Sequence, residues 1–275
     1  GRIVDQRAEI EEHRARDVRG FVFGARVALG FERVLRGIDH PQVVGFELPR
    51  DRRETLEQGL IFQSTADGVC LFGEVAATGK RTLDVRVHEA TRDPEPSPSV
   101  TVVQALPKAD RSELSVELAT EAGIDAIVPW QSARRVARWE GAKAIKGVSR
   151  WRGVAAAAAK QSRRPFVPEV DDLHDTAAVV ALAGSIVARG GIVAVLHESA
   201  TRGFASLPFA EVNEVMLVVG PEGGIDDREI ARLTEVGATP VMLGPTVLRT
   251  STAGAVALGA IGVLTDRWGQ SPVDL

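Results

Sequence analysis

The chain of 275 residues holds a single cysteine, Cys70. No intrachain disulfide can form, and so sparse a use of cysteine fits a reducing cytoplasm. Long apolar runs are also missing: none reaches the ~18 residues that would mark a membrane-spanning helix. The longest near-apolar stretch, 253–264, is too short and is interrupted by glycine, so it reads as a helix buried by the core or by a partner subunit. A signal-peptide pattern is not evident at the start. The five histidines, His13, His40, His88, His174 and His197, are scattered without metal-ligand spacing, so no metal is expected. Neither G-x-G-x-x-G nor G-x-x-x-x-G-K-[ST] occurs at the glycine-rich turns near the C-terminal end, which disfavours a dinucleotide or P-loop site there.

Apolar residues make up 44 % of the sequence, enough for a core, and the length suits one large or two modest domains. The net charge of −4 conceals a strong asymmetry. Residues 134–164 carry ten Lys and Arg against one acid, Glu140, a local balance of +9 on a body that sums to −13. A basic stripe on an acidic body is the electrostatic footprint of a polyanion site.

Two short apolar runs, 216–219 and 240–243, suit buried parallel strands. Gly220-Pro221-Glu222-Gly223-Gly224 follows the first, and Gly244-Pro245-Thr246-Val247-Leu248-Arg249-Thr250 the second. Glycine admits close approach of a ligand to the main chain, and ligands of open α/β sheets sit beyond the carboxyl ends of the strands. Two such loops on neighbouring strands can form one pocket made mainly of backbone. Asp226 and Glu229 have capping-box spacing for a helix after the first loop, and Ser251 or Thr252 is available as N-cap after the second. Ordinary βα turns are the alternative, as is a metabolic α/β enzyme with a phosphate-bearing substrate, which would leave the basic stripe unused.

Upstream, residues 1–65 show weak periodicity, with 27–35 and 43–48 as strands or half-buried turns. Alternation over 69–76 and 82–88 around Gly79-Lys80 predicts a β-hairpin. Three prolines within 93–99 predict an extended linker between domains at 1–92 and 100–275. The second domain opens as βαβ: a strand at 100–106, a helix at 111–122 capped by Asp110 and Glu113, and a strand at 124–128 closed by Pro129. Helices are expected at 151–162 and 175–188, a strand at 192–196 with His197 and Glu198 at its carboxyl end, and a loop or short helix at 199–213.

GPEGG followed by LGPTVLRTSTA resembles the signature of the bacterial 16S rRNA uridine-N3 methyltransferases, of the SPOUT or α/β-knot class. Ser251 stands where that family usually has Glu. Lys160-Gln161-Ser162-Arg163-Arg164 is similar to its (E)-Q-S-x-R motif, with Lys160 replacing Glu. Lys108 stands where the family has a lysine after its first strand, and Glu121-Ala122-Gly123 where it has an ELG-like helix end. Arg33-Val34-Leu35-Arg36 resembles its N-terminal VLR motif. The resemblance covers about 67–268. It implies an α/β protein with a small N-terminal PUA-like β-barrel and a C-terminal parallel-sheet domain closed by a trefoil knot. It implies S-adenosyl-L-methionine as cofactor, held by Leu196, His197, Glu198, Val219, Gly220, Pro221, Glu222, Gly223, Leu243, Gly244, Val247, Leu248, Thr250, Ser251 and Thr252. The implied partners are 16S rRNA of the small ribosomal subunit and a second copy of the chain. Lys108, Arg134, Arg135, Lys160, Gln161, Arg163 and Arg164 are the candidate RNA contacts. Methyl transfer to a ring nitrogen needs positioning, charge stabilisation on the pyrimidine oxygens and an acceptor for the N3 proton. Arg249 is the candidate for the second and Glu222 for the third. A ribose 2′-O-methyltransferase of the same class and a non-catalytic RNA-binding assembly factor remain alternatives.

Overall fold

The computed structural model describes residues 42–47, 60–64, 68–78 and 82–269. The chain divides into two compact units between Pro94 and Glu95, inside the proline-rich segment.

The first unit contains a four-stranded antiparallel sheet. Its strands are β1 (Gln42–Glu47), β2 (Leu60–Ser64), β3 (Val69–Thr78) and β4 (Thr82–Arg92), in the order β1-β4-β3-β2. Period-two patterning explains the central pair: Val69, Leu71, Val85 and Val87 are buried, while Glu74, Arg86 and His88 face outward. The expected hairpin is therefore present, with both strands longer than the alternation suggested. Gly79 and Lys80, the 27–35 stretch and the Arg33–Arg36 motif lie outside the described residues. The expected strand at 43–48 is β1.

The second unit is a three-layer α/β/α structure. Its six parallel strands are β5 (Ser99–Ala105), β6 (Ala126–Trp130), β7 (Glu169–Val170), β8 (Ile192–Leu196), β9 (Glu214–Val219) and β10 (Thr239–Val241), in the order β10-β8-β9-β5-β6-β7. The helices are α1 (Ala109–Glu121), α2 (Ala142–Gln161), α3 (Thr176–Ala188), α4 (Asp227–Glu235) and α5 (Thr250–Leu264). Strand β9 shows why the short runs lack alternation. Val215, Leu217 and Val219 join the core shared with α1, α2 and α5, while Met216 and Val218 join the core shared with α3 and α4. A strand covered on both faces has no polar side to display.

Several local expectations are corrected. Helix α1 begins at Ala109 with Lys108 as N-cap and no side-chain cap, so position 110 falls inside the helix and not at the expected N-cap. Helix α5 begins at Thr250 with Arg249 as N-cap; neither Ser251 nor Thr252 caps it. Helix α2 extends back to Ala142, beyond the alanine-rich pattern, because Trp151 and Val148 anchor its earlier turns. Trp151 meets Trp139 edge to face at 5.3 Å and donates from Nε1 to Ser112 Oγ of α1 at 2.9 Å. Pro129 lies inside β6 rather than closing it. The capping box of α4 is present as read, and Asp175 caps α3 through Ala178 N–H at 2.8 Å.

Strand β8 reaches its parallel neighbour β9 through residues 197–213, which hold two short 3-10 turns, Phe204–Ser206 and Phe209–Glu211. The rings of Phe204 and Phe209 pack at 4.7 Å and are buried. This connection flanks the chain that leaves β10. His197 N–H donates to Val241 O at 3.0 Å from one side. From the other side Met242 N–H donates to Arg202 O at 2.8 Å, and Phe204 N–H donates to Met242 O at 2.9 Å. The chain then returns over the middle of the sheet as α5, where a Cβ at Gly254 would stand 3.6 Å from Val102 and 3.9 Å from Val219.

Candidate active site

The carboxyl ends of β5, β8, β9 and β10 open onto one cleft of about 780 Å³. Each strand contributes its following loop, so the cleft is assembled from segments far apart in sequence. From β8 come Leu196, His197 and Glu198; from β9, Val219, Gly220, Pro221, Glu222 and Gly223; from β10, Leu243, Gly244, Val247, Leu248, Arg249 and Thr250. All are residues predicted for the site. Ser251 and Thr252 do not line the cleft. Ser251 is buried instead, with its Oγ lacking a hydrogen-bond partner among the described residues. Thr252 donates from Oγ1 back to Arg249 O at 3.2 Å.

The glycines do different work. A Cβ on Gly220 would stand 2.6 Å from Ile225 Cγ1, so this position is required for the turn to pack. Gly224 has φ +74°, a conformation that side chains disfavour. At Gly244 a Cβ would meet nothing within 4 Å. This position is open on the cleft side, and the chain's own packing does not account for the missing side chain.

Two carboxylates fix the loops. Glu222 Oε1 accepts the backbone N–H of Lys108 at 3.1 Å, joining the β9 loop to the start of α1. Glu229 is buried in α4 and accepts from three donors: Ala133 N–H at 2.8 Å, Thr176 Oγ1 at 2.6 Å and Asp226 N–H at 3.2 Å. It thereby ties the segment after β6 and the start of α3 to the β9 loop. The sequence indicated only its capping role.

Around the mouth stand Lys108, Arg111, Arg134 and Arg249. Arg134 pairs with Asp226 at 3.2 Å. Arg111 was not singled out in the sequence; the only hint was its position three residues after Lys108, one helical turn along. Arg249 has no ion-pair partner among the described residues, and its carbonyl accepts from Thr252 and Ala253 N–H in the first turn of α5.

The remaining candidate RNA contacts are not gathered at this mouth. Arg135 is half-buried and donates to Ser132 O at 2.8 Å. Helix α2 runs away from the cleft, so its basic residues are spread over a length of about 30 Å. Lys143 and Lys146 are exposed near its start; half-buried Lys160, with exposed Gln161 and Arg163, stands at its far end. Arg164 turns inward. Its side chain is 12 % exposed, donates to Thr120 O at 2.9 Å and lies 3.8 Å from Asp125, at the amino ends of β5 and β6. Arg267 reaches the same carboxylate at 2.8 Å, and Asp125 also accepts Val100 N–H at 2.7 Å. Burial lowers the Arg164 pKa to about 10; Asp125 counters this and Arg267 adds to it. As it stands here, Arg164 holds the fold together rather than facing a ligand.

An RNA methyltransferase domain model matches residues 94–262. The ribosomal RNA small subunit methyltransferase E of Mycobacterium bovis is 54 % identical over 200 residues, spanning 73 % of this chain and 76 % of that one. This chain belongs to the ribosomal RNA small subunit methyltransferase E family. The Bacillus subtilis member is 34 % identical over 70 % of this chain and 77 % of its own. A crystal structure of the Neisseria gonorrhoeae family member bound to S-adenosyl methionine shares the fold, with a TM-score of 0.71 and 22 % identity over 89 % of this chain and 97 % of that one. Family membership accounts for the α/β fold with its parallel sheet. Among the described residues, no helix is long and apolar enough to cross a membrane, and no group of His, Cys, Asp and Glu could hold a metal ion.

Proposed function

We propose that this protein methylates N3 of a uridine in 16S rRNA of the small ribosomal subunit, with S-adenosyl-L-methionine as donor. The observation that carries the reading is the convergence of the β8, β9 and β10 loops on one cleft, in a chain whose relatives are named for methylation of small-subunit ribosomal RNA. The residues fit such a cofactor. Leu196, Leu243 and Leu248 are half-buried around main-chain groups, and Gly244 leaves room where a side chain would project. When bound, the cofactor supplies an electrophilic methyl group on a sulfonium sulfur.

The chain's own residues do the rest. The backbone-lined loops hold the two reactants together, which is where much of the acceleration of a displacement arises. As the N3 proton leaves, negative charge spreads onto the pyrimidine O2 and O4, and the unpaired guanidinium of Arg249 stabilises it. Glu222 takes the proton. Its Oε1 is engaged by Lys108 N–H, leaving Oε2 for that task.

The first unit, with its four antiparallel strands, is read as a PUA-like RNA-binding barrel over 1–92, joined by 93–99 to the methyltransferase domain at 100–275. The pairing of Met242 with Arg202 and Phe204 on one side, and of Val241 with His197 on the other, supports a trefoil knot in which the chain threads the 197–213 connection. Helix α5 supports a homodimer: it carries no charge, and Val256, Val263 and Leu264 are exposed on it. The lone Cys70 fits a cytoplasmic protein.

The test is to incubate the full chain with S-adenosylmethionine and unmodified 16S rRNA or small subunits, then map the methyl group by primer extension and mass spectrometry. Methylation at a uridine base nitrogen supports the reading. Methylation at a ribose oxygen favours the 2′-O alternative, and cofactor binding without transfer favours an assembly factor.

A further inference from the structure

Three cations lining the cleft, Lys108, Arg111 and Arg249, have no ion-pair partner among the described residues. The cleft also holds Glu198, Glu222 and Asp227, but none of these is paired with the three. Arg249 has a role in the reading above, whereas Arg111 has none. It is half-buried in the first turn of α1, where its N–H donates to Lys108 O at 2.8 Å. That turn is held to the β9 loop by Glu222, so the stems of Lys108 and Arg111 start from fixed backbone.

Topology separates these cations from the cofactor loops. Lys108 and Arg111 follow β5, whereas the proposed cofactor contacts follow β8, β9 and β10 on the other side of it. The strand next to β5 on its far side is β6, and its exit leads into the basic segment that begins at Arg134. Arg111 thus stands between the cofactor loops and the segment that begins at Arg134. Unpaired positive charges in a concave site produce a potential that attracts an anion. An arginine fork matches phosphate with two parallel hydrogen bonds.

We propose that Arg111, assisted by Lys108, clamps a backbone phosphate next to the uridine being methylated and so holds the strand on the β5 side while the base enters the cleft. This rests on the functional reading above. Arg111 is a substrate-binding residue in this account and takes no part in proton transfer.

The experiment uses the full chain with Arg111→Ala and Arg111→Lys. It measures S-adenosylmethionine affinity by calorimetry and methylation of unmodified small subunits across a range of salt. For Arg111→Ala we expect KM for RNA to rise roughly tenfold, with kcat nearly unchanged. The slope of log(kcat/KM) against log[salt] should flatten by about one, with cofactor affinity as in the wild type. Arg111→Lys should restore the slope but only part of the KM, and it carries the test if the alanine variant fails to fold. A slope and KM equal to wild type in Arg111→Ala overturn the clamp alone. Loss of cofactor affinity with an unchanged slope also overturns it, assigning Arg111 to the cofactor carboxylate. Wild-type protein that transfers no methyl group to RNA overturns the functional reading itself.

Discussion

The Glu222 carboxylate accepts the Lys108 backbone N–H at 3.1 Å, bridging the loop after β9 and the first turn of α1. A structural duty and the proposed proton acceptance thus fall on one side chain, and two substitutions separate them. Glu222→Gln keeps an acceptor for Lys108, so stability should change by no more than about 0.5 kcal/mol, while turnover falls roughly a hundredfold or more. Glu222→Ala should lose both turnover and about 1 kcal/mol of stability. Urea unfolding and single-turnover methylation check this. Wild-type turnover in the Gln variant would leave Glu222 with the bridging role only.

The two cleft glycines should respond differently to the same change. Gly244→Val adds its side chain to open space, so the protein should fold normally and lose S-adenosylmethionine binding by roughly a hundredfold. Gly220→Val drives a Cβ against Ile225, so it should lose about 1–3 kcal/mol of stability as well as the cofactor. Calorimetric titration beside thermal unfolding distinguishes them. Full cofactor affinity in Gly244→Val would remove this loop from the pocket.

Arg249→Ala should cut kcat by about a hundred- to a thousandfold while leaving S-adenosylmethionine affinity within about twofold, as for a group that acts on charge developing in the transition state. Single-turnover rates at saturating RNA, with cofactor binding measured separately, check it. An unchanged rate would refute the role.

Neighbouring arginines at the end of α2 should part company. Arg163→Ala removes an exposed cation and should flatten the salt dependence of RNA binding by about one. Arg164→Ala removes a part-buried bond to Thr120 O and a partner of Asp125, so it should destabilise by about 1–3 kcal/mol and leave the salt slope alone. The lowered pKa fixes the sign of its pH dependence. The unfolded chain holds that proton more tightly, so the burial penalty is fully present below about pH 10 and is relieved only as pH rises above it. The stability difference between Arg164→Ala and wild type should therefore not vary across the neutral range, as chemical denaturation can show.

Val256→Asp or Val263→Asp on the outward side of α5 should shift a dimer to monomers without unfolding it, since both side chains are exposed in the single chain. Sedimentation equilibrium gives the answer. A mass unaffected by either change would place the interface elsewhere.

Much of the second unit was legible because short apolar runs ending at glycine reveal buried parallel strands without homologues. The strand at Ile192–Leu196 and the capping box at Asp226 needed only local rules. The misreadings came where tertiary contacts override local ones. Asp110 has the spacing of a cap, but α1 starts one residue before it and its N-cap N–H is taken up by Glu222 from the loop after β9. The basic stripe looked like one patch because sequence proximity hides direction. Helix α2 carries its far end to the amino ends of the strands, away from the cleft, where Arg164 is committed to Asp125. A lone arginine in a helical first turn, such as Arg111, has no distinguishing pattern until the neighbouring loops surround it.

The cleft has a consequence for how the molecule is made. Thr250 and Ala253 of α5 form part of its wall, and this helix covers strands laid down long before it in sequence. On the ribosome the earlier strands emerge with that wall missing, so methyl-donor affinity should appear only after residue 253 has left the exit tunnel and docked. A nascent chain halted before that point would be a sheet lacking a lid, inactive however well its other parts had folded.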